Sequence, residues 1–376
     1  METGKRTYAI ILAVLFGLFL CFPMFYDAFD NSEQDEVSET ENRNLAPKPF
    51  LDITYLDIFP DQYTAYYNDH FPFRQEIMHF FGRNILWGVF NKSPVPDKVA
   101  IGKDGWLFQA ENQLLYSGQD DFTEEEVGLI CLKLHERALY LDSLGIRFYV
   151  MFAPMKCEIY HDKLPHYFVR TRGKTRTDKV IERLVQDSLI HFIDLKRALI
   201  SVSDTSNLYY KTDHHWTTAG GYVVYREIMK HLSGASQEIF TVSETDIVPY
   251  TDSSWCGGMA TMTGLVPELI EISLHYVVKQ PRAIRVKEKN YDPPSWFPYK
   301  DEFEIRTRVA DTSLPKIVII RDSFFSTVIP FLSEDYQQTL YIFDGWMFGP
   351  NYPIIEQEKP DIVLLEIYEP FLNHIL

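Results

Sequence analysis

The sequence predicts an α/β fold: a parallel sheet with helices packed on both faces, in three layers. Three observations carry this. Short apolar runs rich in β-branched residues recur along the chain, as buried parallel strands require. Helix-period segments with start and stop signals separate them, and that alternation is the mark of βαβ units. The chain has 376 residues, of which 46% are hydrophobic and 15% aromatic, enough for a sizeable core and incompatible with global disorder.

In chain order, residues 1–7 form a short N-terminal segment with Lys5 and Arg6. The run Tyr8–Tyr26 carries no charge, and its length matches the roughly 20 apolar residues that span a bilayer as a helix. Basic residues precede it, and Asp27, Asp30, Glu33, Asp35 and Glu36 follow. The positive-inside rule therefore puts the N-terminus in the cytoplasm and the rest outside it, in the periplasm or at the cell surface. A cleaved signal peptide is the competing reading. No small-x-small cleavage site follows the run, which favours an uncleaved anchor.

Residues 27–95 read as a juxtamembrane linker and helical lead-in: an acidic polar stretch to residue 46, then an amphipathic helix around Arg74–Val89. Ser93-Pro94-Val95-Pro96 stops it before the main domain, residues 96–376. Within that domain the predicted strands are Arg147–Ala153, His191–Leu195, Lys316–Ile320, Thr339–Phe343 and Asp361–Ile367. The clearest helix is Thr123–Leu144, with Thr123 as cap, three Glu in the first turn and Gly145 as stop. Thr175–Gln186 and Ala219–Leu232 are further helices. Residues 234–312 break the rhythm with β-like pieces and read as an insertion, a rim that shapes a substrate site.

Formal charge is −17, from 36 basic and 53 acidic side chains, which argues against nucleic acid as a partner. Cys131, Cys157 and Cys256 form no C-x-x-C pattern, so a single disulfide and three thiols are both compatible with the sequence.

Two segments carry chemistry. Ser323 follows the strand Lys316–Ile320 at a strand-to-helix turn, where open α/β sheets place their sites and where helix N-terminal N–H groups can stabilise an oxyanion. The bland reading makes Asp322 or Ser323 only the cap of the following helix. Asp213 and His215, two apart, point the same way in extended chain. A Ser hydroxyl needs a His to take its proton, and that His needs a carboxylate on its other nitrogen. Asp213, His214 and His215 also have metal-ligand chemistry, but no further ligand stands at a recognisable spacing.

Asp213-His214-His215-Trp216 with Arg321-Asp322-Ser323-Phe324 resembles the DHHW family, relatives of the alginate O-acetyltransferases of the AlgJ/AlgX type, which carry an SGNH-hydrolase-like domain. Three further segments agree: Asp69-His70-Phe71-Pro72-Phe73-Arg74, Gly102-Lys103-Asp104-Gly105-Trp106-Leu107-Phe108, and Pro154-Met155-Lys156 with Tyr160. The resemblance covers about residues 60–376. It implies an SGNH-like fold with Ser323 as nucleophile, His215 as general base and Asp213 as its orienter. His214, Arg321, Trp216 and Lys156 would support the site or bind substrate, with no metal and no cofactor. It further implies an O-acyltransferase acting on a polysaccharide, with a multi-span membrane acyltransferase supplying the acyl groups. The same triad suits an esterase, and a non-catalytic binding module would keep the fold. Arg321 stands where the family has Gly, and the Ser323 N–H is the expected oxyanion donor. Gly257-Gly258-Met259 resembles a family Gly-Asp-Leu element but lacks the Asp, and is assigned no role.

Overall fold

The computed structural model describes residues 10–18, 22, 37–38, 43–51, 56–90, 92–203, 207–232, 242–266 and 268–376. They fall into two units, Met1–Pro94 with Thr261–Leu265, and Val95–Ala260 with Val266–Leu376. In the first, α1 (Phe59–Asp69) starts with Pro60, whose fixed φ suits a first turn. After Phe73, at φ 55°, α2 (Arg74–Phe81) runs into a π-helical turn, Gly82–Trp87, so the predicted stretch Arg74–Val89 is helical to Trp87. Residues 10–18 of the predicted anchor are helical and largely exposed. The rest of Tyr8–Tyr26, Phe22 apart, lies outside the described residues. Among the described residues no helix is long and apolar enough to cross a membrane.

In the second unit, β1 (Val99–Ile101) and β2 (Leu107–Gln109) pair as a hairpin. α3 (Glu124–Ser143) leads to β3 (Arg147–Ala153), and α4 (Arg176–Leu184) to β4 (His191–Ile193). After α5 (Thr218–Leu232) come a long hairpin of β5 (Ile247–Trp255) and β6 (Glu271–Val278), then β7 (Ile284–Val286) and β8 (Glu304–Arg308). β9 (Lys316–Ile320), β10 (Gln338–Ile342) and β11 (Ile362–Tyr368) complete the set. The main sheet has the order β4-β3-β11-β9-β10-β8-β7. Its first five strands are parallel, and β8 and β7 add antiparallel at one edge.

Strand residues alternate between faces with a period of two, and the core divides accordingly. Tyr149, Met151, Ile317, Ile319 and Leu364 point to one side, where α5 supplies Tyr222, Tyr225 and Ile228. Phe148, Val150, Val318, Ile320 and Val363 point to the other, against Ile130, Leu134 and Leu141 of α3 and Val180 of α4. Each such buried side chain contributes about 1.5–3 kcal/mol, so both faces of the central strands are held. This layered α/β arrangement, with helices on both faces of a mostly parallel sheet, is what the sequence led one to expect.

The helix starts follow from local chemistry. Thr123 accepts from the Glu126 N–H at 3.2 Å while Glu126 accepts from the Thr123 N–H at 2.7 Å, a reciprocal cap, and Gly145 at φ 73° ends the connection. The strand predicted as His191–Leu195 stops at Ile193 because the Asp194 carboxylate caps the next helix, accepting from the Arg197 N–H at 3.1 Å. The region 234–312 needs a correction. Its last part is not an insertion outside the sheet but returns to it as β7 and β8. The pattern Glu304-Ile305-Arg306-Thr307-Arg308 looks too polar for a buried strand. Arg306 is nonetheless buried, paired with Glu304 at 3.0 Å and Glu358 at 2.8 Å, so charge is neutralised internally. Cys131, Cys157 and Cys256 form no disulfide.

Candidate active site

β9 ends in the sheet, and its ladder runs one residue further through the Arg321 N–H to Ile342 O at 2.9 Å. The chain then turns sharply, because Asp322 is fully buried and satisfied on every side. Its N–H donates to Glu366 Oε2 at 2.9 Å, Oδ1 accepts from the Phe324 N–H at 2.9 Å, and Oδ2 accepts from the Tyr368 N–H at 2.7 Å. Burial pushes both carboxyls up. The charge on Asp322 raises Glu366 further. The cap of the Ser323–Thr327 turn is therefore Asp322, which leaves the Ser323 hydroxyl available.

Arg321 is buried beneath this turn. Its guanidinium donates to Asp322 O at 3.2 Å, Ser326 Oγ at 3.0 Å and Glu302 Oε2 at 2.9 Å, and lies over the Phe343 ring at 5.0 Å. It fastens the turn and has no surface to offer a substrate. The Ser323 N–H makes no hydrogen bond to any described residue, so it is available to a developing oxyanion on the Ser323 adduct.

The Asp-His loop is a short excursion closed at its base by a bridge between Tyr209 and Trp216 and by Tyr210 N–H to His215 O at 3.2 Å. Asp213 Oδ1 accepts from His215 Nδ1 at 2.7 Å and from the His215 N–H at 3.0 Å. Oδ2 accepts from the Gly258 N–H at 2.7 Å. Burial alone would raise this carboxyl. The hydrogen bonds from the His215 ring and N–H, together with the electrostatic interaction with the two neighbouring imidazoles, outweigh it and hold Asp213 well below the usual carboxylate range. With Nδ1–H facing Asp213, His215 Nε2 is left as the acceptor for Ser323 Oγ, 2.8 Å away. Three groups, of which His215 and Ser323 stand 108 residues apart in sequence, thus form one hydrogen-bonded line.

Around them, Phe324 packs against His215 at 4.7 Å, Trp216 at 5.0 Å and Tyr368 at 4.4 Å. His214 lies against His215, ring centroids 3.8 Å apart. Burial first, then the charge of His215, push its pKa down to about 3, so it is a neutral imidazole at working pH.

Two buried ions hold the loop. Glu271, at the start of β6, accepts from the Lys211 N–H at 2.8 Å, the Thr212 N–H at 2.8 Å and the Thr212 hydroxyl at 2.5 Å. Lys156 donates to Leu107 O at 2.6 Å, Lys211 O at 2.8 Å and Asp213 O at 2.9 Å, with its ammonium 5.0 Å from the Trp106 ring centroid. Burial pushes its pKa down to about 7, but three carbonyl acceptors require the three donors that only the ammonium has. Gly257 completes the brace. A Cβ there would meet Thr212 O at 2.5 Å and Asp213 Cβ at 2.7 Å, so only glycine lets the two segments approach.

Of the four residues expected to support the site or bind substrate, Lys156, Arg321 and Trp216 are thus buried braces. His214 alone is part-exposed, at 29% of its side chain. Glu271 and Glu366 were not singled out from sequence, and Gly258 was named there without a role. The Gly257-Gly258 pair was the one legible signal, a mark of close backbone approach. Asp213, His214 and His215 each offer a ligand atom within 4.8 Å of the others, as a metal would need. Both oxygens of Asp213 and both ring nitrogens of His215 are already used in hydrogen bonds, so a metal there would dismantle the line to Ser323.

Residues 99–280 match the family model described as SGNH hydrolase-like domain, acetyltransferase AlgX. The match includes Asp213 and His215 and ends before Ser323. A search of curated proteins finds no match. Among solved structures, Bacillus cereus PatB1 aligns at 16% identity and TM-score 0.53 over 73% of this chain and 96% of that one. A DHHW family protein from Eubacterium siraeum aligns at 15% identity and TM-score 0.51 over 73% and 95%. The O-acetyltransferase domain of Pseudomonas putida AlgJ aligns at 15% identity and TM-score 0.47 over 73% and 92%. Residues 99–280 are thus similar to the SGNH hydrolase-like domain of the AlgX acetyltransferase model, and the solved structures share the fold.

Proposed function

We propose that this protein is a serine-dependent O-acyltransferase that places acetyl groups on hydroxyls of a cell-surface or exported polysaccharide. The single observation that carries the reading is the line from Asp213 through His215 to Ser323, with contacts of 2.7 and 2.8 Å. In the first half-reaction Ser323 Oγ attacks the acyl carbon while His215 Nε2 takes its proton. Negative charge gathers on the carbonyl oxygen, beside the Ser323 N–H. The donor's alkoxide then leaves with the proton from His215, and acetyl-Ser323 remains. In the second half-reaction a sugar hydroxyl attacks that ester. His215 takes the hydroxyl proton and returns it to Ser323 Oγ as the bond breaks. Asp213 holds the tautomer throughout and stabilises the imidazolium.

The acetyl group is supported by the match to the acetyltransferase AlgX model, and the sugar acceptor by the resemblance of the Asp213–Trp216 and Arg321–Phe324 motifs to alginate O-acetyltransferases, since a triad alone does not choose its acceptor. The charge pattern around Tyr8–Tyr26 supports membrane anchoring with the catalytic unit outside the cytoplasm. A multi-span membrane acyltransferase would then supply acetyl from within. The test uses the full chain in detergent with 4-nitrophenyl acetate and a panel of neutral and uronic pyranose oligomers. Mass spectrometry should find acetyl on Ser323, and an acceptor should speed donor turnover and emerge acetylated. Ser323→Ala and His215→Ala should abolish both steps. Fast acetate release that no oligomer alters, with deacetylation of acetylated polymer, would overturn the transferase reading in favour of an esterase.

A further inference from the structure

One polar side chain beside the site has half of its hydrogen-bonding capacity accounted for by the protein and half left over. Gln109 closes β2 and is part-exposed. Its Oε1 accepts from the Tyr368 hydroxyl at 2.6 Å and from Asn112 Nδ2 at 3.1 Å. Asn112 Nδ2 also donates to the Tyr368 oxygen at 2.9 Å. These three bonds fix every polarity. Asn112 has two N–H donors, one for each partner, so the Tyr368 proton must go to Gln109. Both lone pairs of Gln109 Oε1 are then filled, and the carboxamide cannot flip without facing N–H to two donors. Its Nε2, with two N–H groups, makes no hydrogen bond to any described residue.

The position of this donor follows from its neighbours. β2 is tied to the catalytic loop, since the Leu107 N–H donates to Lys211 O at 2.8 Å and Lys156 bridges Leu107 O to Asp213 O. Tyr368, which holds the carboxamide, stacks on Phe324 at 4.4 Å and lies 6.2 Å from the His214 ring. Gln109 is therefore one side chain beyond the ring that flanks Ser323. With the Tyr368 ring between it and Phe324, it suits a group further along a bound acceptor rather than the acetyl carbonyl on Ser323.

We infer that Gln109 is a binding residue for the acceptor, its carboxamide N–H donating to a ring or hydroxyl oxygen of a sugar unit while Tyr368 and Asn112 hold it in place. This rests on the transferase reading above. Gln109→Glu is the informative change. A carboxylate keeps the oxygen that Tyr368 and Asn112 need and keeps the volume, but replaces the outward donor by an acceptor. Gln109→Leu removes both functions.

With the full chain, 4-nitrophenyl acetate and the same panel, acceptor KM should rise about 3- to 10-fold in both variants for a neutral oligomer. That is the loss of one neutral hydrogen bond. Ser323 acetylation should slow by a smaller factor, and the unfolding midpoint of Gln109→Glu should stay with the wild type. A purely structural Gln109 would instead leave acceptor KM untouched in Gln109→Glu and lower the midpoint of Gln109→Leu, which overturns the inference while the transferase reading stands. Equal slowing of Ser323 acetylation and of transfer would overturn it too. If the wild type acetylates Ser323 but passes acetyl to no oligomer, the transferase reading falls and this assignment with it.

Discussion

Replacing Glu271 by Gln tests whether the β5–β6 hairpin sets the catalytic loop. Glu271 receives three donors, the N–H groups of Lys211 and Thr212 at 2.8 Å each and the Thr212 hydroxyl at 2.5 Å. A carboxamide has one acceptor oxygen. If that oxygen faces Thr212, the new NH2 group lies against the Lys211 N–H where a bond used to be. One charge-assisted bond is lost, at roughly 1.5–3 kcal/mol, and the two that remain weaken to neutral ones by about 1 kcal/mol each. The sum is about 3–5 kcal/mol, or a fall of roughly 6–12 °C in the unfolding midpoint for a unit of this size. Asp213 is the next residue along, so a backbone slip near 1 Å should also slow Ser323 acetylation by about 100-fold. Calorimetry and burst kinetics with 4-nitrophenyl acetate read the two effects. Stability within about 1 kcal/mol of wild type together with an unchanged burst rate would refute the argument, because Asp213 would then be held by other means.

Gly257→Ala should slow acetylation by more than its loss of stability suggests, since its Cβ would meet Thr212 O at 2.5 Å and Asp213 Cβ at 2.7 Å; paired kinetics and urea unfolding check this. Lys156→Met strips three carbonyls of their donor at about 1–3 kcal/mol each, partly offset by no longer burying an ammonium, so a net loss of about 2–4 kcal/mol should appear in urea unfolding. His214 gives a pH signature. Its folded pKa, pushed from 6.5 down to about 3, means that the unfolded chain binds the extra proton between those values, so its contribution is lost as pH falls through that window. The stability of His214→Phe should decline less than that of the wild type between pH 6.5 and 3 in urea titrations at each pH. Parallel slopes would show that His214 keeps an ordinary pKa.

The parallel strands were legible because a strand buried on both faces leaves an unbroken apolar run, as Lys316–Ile320 does. Thr123, Glu126 and Gly145 announced α3 because capping is local chemistry. Ser323, His215 and Asp213 were legible as chemical types, and the structure brings them together across distant segments. What holds them was not legible. Glu271 reads as one acid among many until β6 carries it to Thr212, and Gly258 acts through its backbone, which every residue has. Lys156 could be named but not given its role, since three carbonyl partners leave no trace in sequence. β8 was hidden because Glu304 and Arg306 cancel each other inside the protein, a pairing that periodicity cannot see.

The placement of β11 has a consequence for when the enzyme can first act. Ile362–Tyr368 is the last strand in the chain, yet it sits between β3 and β9 near the middle of the sheet. It also brings Glu366 and the Tyr368 N–H to the two sides of Asp322. Until the ribosome has delivered those residues, β3 and β9 have no common neighbour and the turn bearing Ser323 lacks two of its anchors. A nascent chain already long enough to contain Asp213, His215 and Ser323 would still be inert towards acyl donors it met on the way. Activity therefore arrives late in biogenesis, and a shortened chain ending before Ile362 should be catalytically silent rather than loosely active.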